Sequence, residues 1–199
     1  MKRLLLIAAL LMTGAADAAS LVDQVQAILT QPAVLSGRFE QKRELAGFPK
    51  PVASSGRFLV ARERGVLWTT ERPFASSVRL TRGEILQKAG DTVTMRMSAS
   101  KEPAVRAING VMFSLLSGDI ARLDQNFTVS GKAGEGRWSL SLVPREAGLA
   151  QVIKRIELSG QKYVETVELL DANGDRTHIR MIDSKGATAL SKAEAAQFD

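Results

Sequence analysis

Between Arg38 and Ile182 apolar residues recur mostly at every second position, in short runs broken by glycine, proline and aspartate. That period sends alternate side chains to opposite faces of an extended strand, so the chain has to bury one face of a sheet. Strands are expected through Arg38–Leu45, Gly56–Arg62, Val66–Thr70, Ser76–Thr81, Glu84–Lys88 and Thr92–Ser98. They resume at Phe127–Gly131, Arg137–Val143, Ile153–Ser159, Tyr163–Leu170 and Thr177–Ile182. Short strands at roughly even spacing, joined by turn residues such as Gly65, Pro73, Gly83 and Gly90-Asp91, form an antiparallel meander. Asp171-Ala172-Asn173-Gly174-Asp175 is read as the last hairpin turn, with Asn-Gly as a type I′ pair.

Two helices interrupt the pattern. Residues 20–31 place Leu21, Val25, Ile28 and Leu29 on one face, ahead of Pro32. Pro103–Ser117 repeats Ala104, Ala107, Ile108, Val111, Met112 and Leu115 at three- and four-residue spacing, while Val105, Phe113 and Leu116 lie off that stripe. A sheet with one apolar face and few helices to cover it curves on itself. The expected fold is mainly β, an unclosed half-barrel of about ten or eleven antiparallel strands with the long helix as a lid. Residues 19–199 form a single domain, and the hollow under the lid suits an apolar ligand.

Residues 1–18 read as an export signal: Lys2-Arg3, an apolar run from Leu4 to Met12, then Ala16-Asp17-Ala18. The run is too short to span a bilayer, which takes about 20 apolar residues. With no cysteine after it, a lipid anchor has no attachment point, so a soluble protein of a bacterial periplasm is expected.

Composition removes much chemistry. The 199 residues include no cysteine and one histidine, which excludes thiolate chemistry and multi-histidine metal sites. Neither a metal nor a cofactor is expected. Asp171–Asp175 lacks the glycine and glutamate of a calcium loop, and Gly131–Arg137 lacks the Lys-Ser/Thr of a phosphate loop. No Gly-x-Ser-x-Gly elbow accompanies His178, so an enzyme is not expected. The net charge of +6 is interleaved with acids, as in Arg62-Glu63-Arg64, and aromatics make up 5%, which argues against nucleic acid as a partner.

Phe39-Glu-Gln41-Lys, Pro51, Ser55-Gly56-Arg-Phe58-Leu-Val60, Arg62, Leu67-Trp68 and Arg72-Pro73-Phe74 together resemble the start of the periplasmic outer-membrane lipoprotein carriers, the LolA family. The resemblance continues through Leu115-Leu116-Ser117-Gly118-Asp119, Trp138-Ser-Leu140-Ser-Leu142-Val-Pro144 and Ile156-Glu-Leu158. It implies a monomeric carrier that takes acylated cargo from an inner-membrane transporter to an outer-membrane acceptor, shielding the acyl chains in its cavity. It also implies that Arg62 latches the lid. The family arginine is usually followed by proline, whereas Glu63 follows here, so Arg64 is the alternative counterpart. Methionines in place of aromatics leave the cargo open between a lipoprotein and another acylated lipid. A lipid-sensing regulator of the same fold and an exported hydrolase are the competing readings.

On this fold the cavity is expected to be lined by Phe39, Phe58, Val60, Val66, Trp68, Val78, Leu80, Met95 and Met97. Ile108, Val111, Met112 and Leu115 would face it from the lid, and Trp138, Leu140 and Leu142 from the opposite strands.

Overall fold

The computed structural model describes residues 20–98, 101, 113–114, 120 and 123–198. All eleven strands form: β1 (Val34–Glu44), β2 (Val52–Ala61), β3 (Gly65–Arg72), β4 (Ser76–Leu80), β5 (Glu84–Ala89), β6 (Thr92–Ser98), β7 (Phe127–Gly134), β8 (Arg137–Pro144), β9 (Ile153–Gly160), β10 (Val164–Asp171) and β11 (Arg176–Ala187). They build one sheet in the order β6-β5-β4-β3-β2-β1-β11-β10-β9-β8-β7. Every pairing is antiparallel. β6 and β7 are the two edges and do not pair with each other, so the barrel stays open.

Among the described residues the sheet is accompanied by α1 (Leu21–Ile28), α2 (Leu123–Asn126), α3 (Ala147–Ala150) and α4 (Lys192–Ala195), which runs into a 3₁₀ turn at Ala196–Phe198. α1 begins with a capping box, in which the Asp23 N–H donates to Ser20 Oγ and the Ser20 N–H to the Asp23 carboxylate. It ends three residues earlier than its apolar spacing suggests. Leu29 turns extended, and the Thr30 N–H donates to the Lys162 carbonyl at 2.8 Å, so the chain leaves the helix to pair with the far side of the sheet. The single-turn helices α2, α3 and α4 are too short to carry a readable period. The 103–117 helix lies outside the described residues except for Phe113 and Ser114, which are helical.

One turn differs from expectation. At 171–175 only Gly174 has positive φ (+93°), so Asn173-Gly174 is not the I′ pair. The Asp171 carboxylate instead accepts the N–H groups of Asn173 and Asp175, holding a wider loop. The two-residue turn with both central residues at positive φ is Glu135-Gly136, between β7 and β8.

Three clusters hold the molecule. Under α1, Val22, Val25 and Leu29 pack with Trp138, Leu140, Leu142, Ile156 and Leu158 of β8 and β9. On the same face of the other half, Leu35, Phe39, Phe58, Val60, Val66, Leu80 and Met181 form a second cluster. The convex side of β1–β3 carries a third, where Val34, Leu59, Ala61 and Leu67 are covered by Phe198 from the chain's end.

Candidate functional site

Register builds the site. Across six strands it stacks Leu35, Val60, Val66, Leu80, Ile85 and Met97 in one row, and Phe58, Trp68, Val78, Gln87 and Met95 in the next. Directly opposed residues share a face, so both rows are concave. Phe39 enters from β1, and its ring stacks on Trp68 with centroids 3.9 Å apart; the Phe58 ring lies 6.3 Å from that of Trp68. Phe58 sits over Gly37, where an added Cβ would come within 2.7 Å of the ring. A larger residue there would push the ring off the sheet.

Burial falls across the rows. Val60 is 2% exposed and Met95, on the edge strand, 37%. The candidate residues Phe39, Phe58, Val60, Val66, Trp68 and Leu80 therefore meet in one cluster, with Val78, Met95 and Met97 on the same face toward β6. Phe113 from the 103–117 segment packs on this cluster, although it lies off that helix's apolar stripe; Ile108, Val111, Met112 and Leu115 lie outside the described residues.

Trp138, Leu140 and Leu142, expected to line the hollow from the opposite side, pack beneath α1 in the first cluster, where Leu142 is 0% exposed. The Trp138 Nε1–H donates to the Gln161 carbonyl at 2.7 Å, which fixes it as core. Among residues not singled out in the sequence, Leu35, Ile85, Tyr163, Ile179 and Met181 border the aromatic cluster. Ile179 and Met181 carried a signal, their alternation in the last strand. Leu35 carried none, because Gly37 reads as a break before the strand.

Arg62 follows β2 and is partly buried. Its Nη2 donates to the Gln31 carbonyl at 2.8 Å and to Gln31 Oε1 at 3.0 Å, so its acceptors come from the segment joining α1 to β1. Its Nε is buried and has no partner among the described residues. The helix end expected to receive it lies outside those residues. Arg64 is exposed and its Nη1 donates to the Ala195 carbonyl, on the C-terminal helix. The two arginines thus serve different neighbours, and Arg62 is the buried one.

His178 lies on the convex face, half-exposed, with Nδ1 3.3 Å from Glu168 Oε1. Among the described residues no group of three or more histidine, aspartate and glutamate side chains could hold a metal ion. Two clefts lie off the concave face. One, of about 380 Å³, sits between the β1–β2 connection and the 171–175 loop, beside Phe48 and Arg176. The other, of about 390 Å³, lies over β9–β11 and β1 among Lys42, Arg155, Glu157, Glu168 and His178. That charged lining does not suit an acyl chain. At the first cleft the Ala46 N–H and then the Arg43 guanidinium hold the Asp175 carboxyl below its ordinary range.

An open antiparallel sheet whose one half packs under a helix, and whose other half offers a graded apolar face, defines an unclosed half-barrel with an apolar concave side. The chain belongs to the family described as outer membrane lipoprotein carrier protein LolA-like, whose sequence profile matches residues 14–198. It is 25% identical over 183 residues to the outer-membrane lipoprotein carrier protein of Azotobacter vinelandii, spanning 89% of this chain and 82% of that one. Similar solved structures include a LolA superfamily protein from Nitrosomonas europaea, with a TM-score of 0.48, 9% identity and coverage of 87% and 95%. A DUF1329 family protein from Desulfovibrio piger aligns with a TM-score of 0.49, 14% identity and coverage of 89% and 97%. Among the described residues no helix is long and apolar enough to cross a membrane.

Proposed function

We propose that this chain is a non-enzymatic periplasmic carrier that shields acyl chains, of a lipoprotein or another acylated lipid, between a donor in the inner membrane and an acceptor in the outer membrane. The observation that carries this reading is the two-row apolar face of β1–β6, graded from buried at Val60 to open at Met95. A residue that served only as core would be covered along the whole row, as Leu142 is under α1.

The magnitudes fit a carrier. A buried methylene contributes about 0.8 kcal/mol, so an acyl chain of roughly 15 carbons costs on the order of 12 kcal/mol to leave in water. Methionine and aliphatic surface supplies contact without direction, which suits cargo of variable shape. Phe39, Phe58 and Trp68 pack on one another and on Phe113, so an entering chain has to part them. In this reading Arg62 anchors the rim of the hollow through Gln31. The cost of parting these contacts opposes loading and favours release.

The test is extraction. Organic extracts of gently purified protein, examined by mass spectrometry, should contain an acylated species at near one per protein, and a fluorescent fatty acid should compete for its place. Trp68→Ala should weaken probe binding, while His178→Ala should leave it unchanged. Extracts without acylated species, together with no probe binding, would sink the reading.

A further inference from the structure

Seven large apolar side chains are markedly exposed among the described residues, and they are not spread evenly. Phe48 lies in the β1–β2 connection, Val52 at the start of β2, Phe74 in the β3–β4 connection and Val93 at the start of β6; Val143 and Val152 flank the β8–β9 turn. Antiparallel order puts these six at the same end of the strands. Only Met95 lies elsewhere, within β6 on the candidate cargo face. The opposite end carries Arg62-Glu63-Arg64, Arg82-Gly83 and Glu135-Gly136, with none of the seven.

Two tips dominate. Phe74 is 83% exposed and Phe48 69%, and each has a proline beside it, Pro73 and Pro49, that stiffens its loop. The two connections lie two strand spacings apart along the sheet, about 10 Å. Residues 45–51 and 72–75 contain Lys50 and Arg72 and no acid. Of the acids bordering these loops, Glu71 is paired with Arg57 and Asp175 with Arg43, while Glu44 ends β1 just before the first loop. An exposed apolar patch on a single chain marks a contact surface, and phenylalanines flanked by cations match the headgroup zone of an anionic bilayer.

We infer that this end of the sheet docks reversibly on an anionic membrane surface, with Phe48 and Phe74 inserted to headgroup depth and Lys50 and Arg72 on lipid phosphates. A protein partner would be recognised by shape over a larger continuous area. Separate tips, with one phenylalanine and one cation each, need only a fluid surface. The inference does not rest on cargo binding. A chain that binds no acyl probe could still dock, and one that fails to dock could still bind the probe.

The test uses sedimentation of the mature protein with phosphatidylglycerol–phosphatidylethanolamine vesicles, and with phosphatidylcholine vesicles as the neutral control. The wild type should bind the anionic vesicles at low salt and release as salt rises. Phe48→Ser with Phe74→Ser should lose about tenfold or more in partitioning, with acyl-probe affinity and fold unchanged, since both side chains are in solvent. Lys50→Glu with Arg72→Glu should remove the salt-sensitive part alone. Because the chain has no cysteine, Phe74→Cys and, at the far end, Glu63→Cys give unique sites for a polarity-sensitive dye. The dye at 74 should shift to the blue on anionic vesicles and the dye at 63 should not. Wild-type protein that stays in the supernatant at low salt, or dyes that respond alike, would overturn the inference, the first result favouring a protein partner for these tips.

Discussion

The two halves of the sheet use the same alternation to different ends. In β7–β10 the apolar face is closed by α1, whose Val25 is as fully buried as Leu142 beneath it. In β1–β6 the equivalent face holds three stacked aromatic rings, receives Phe113, and opens toward Met95. The covered half is packed against its helix, and the other half leaves Met95 exposed at its edge. On the proposed function the half-barrel divides stability and binding between its two sides, and substitutions can test that division.

The largest contrast is Leu142→Ala against Met95→Ala. Truncating a leucine with no exposure should cost about 3 kcal/mol, read as a lower urea midpoint by circular dichroism. Any fraction that stays folded should bind the acyl probe as the wild type does. Met95→Ala, at an open rim, should cost less than about 1 kcal/mol yet weaken the probe measurably. Equal stability costs, or a probe response confined to Leu142→Ala, would break the division.

The second contrast concerns the back of the binding half. Phe198 covers Val34, Leu59, Ala61 and Leu67 on the convex side, and the Arg79 Nη1 donates to its carbonyl at 2.8 Å. Phe198→Ala should cost about 2 kcal/mol, below the range for a central aromatic because the ring lies at the rim of its cluster, 9% exposed. Hydrogen exchange should quicken in β2 and β3 and stay unchanged in β8 and β9. A uniform change would show that the halves unfold together and are not separately braced.

These expectations also mark what the sequence could and could not reveal. The strands were legible because period-two runs stop at glycine and proline, and register then follows from alternation. Phe58, Val60, Val66 and Trp68 were placed correctly on one face for that reason. Trp138, Leu140 and Leu142 show the same alternation, and it says only that their face is buried. What buries them is a helix more than 100 residues earlier in the chain, a contact no local pattern encodes. Arg62 is similar: an arginine beside an apolar strand must find acceptors, but that they belong to Gln31 is a tertiary fact. The covering of the convex face by residues 190–198 was missed because one helical turn has no period.

Arg62 gives the third test. Hydrogen bonds to a charged group contribute about 1.5–3 kcal/mol when buried, and partial exposure here brings the expected loss in Arg62→Leu to about 1–2 kcal/mol. The binding half should loosen where the segment at Gln31 meets β1, so probe affinity should hold or rise, while transfer to acceptor vesicles slows. Arg64→Leu should change neither binding nor transfer, because the side chain is exposed and its Nη1 bonds the Ala195 carbonyl on the C-terminal helix. If Arg64→Leu reproduces the transfer defect and Arg62→Leu does not, the role passes to Arg64.

The smallest effect lies at the cap of α4, which holds Phe198 in place. The Glu194 N–H donates to Ser191 Oγ at 3.2 Å and the Ser191 N–H donates to Glu194 Oε2 at 2.7 Å. Ser191→Ala should cost about 1 kcal/mol, felt first as fraying of the chain's end. The cap also titrates. The Ser191 hydroxyl and then its N–H lower the Glu194 pKa below its ordinary value. A carboxylate with a depressed folded pKa adds stability above its unfolded pKa and loses it as pH falls through the folded one. Acidification should therefore loosen 191–198 below the ordinary glutamate range, and exchange in β2 and β3 should follow while β8 and β9 stay protected. In Ser191→Ala the Glu194 pKa should move back up and the loosening begin at higher pH. If the exchange profile of β2 and β3 is unchanged across that range, the C-terminal turn does not brace the binding half, and the division between the halves owes nothing to the convex face.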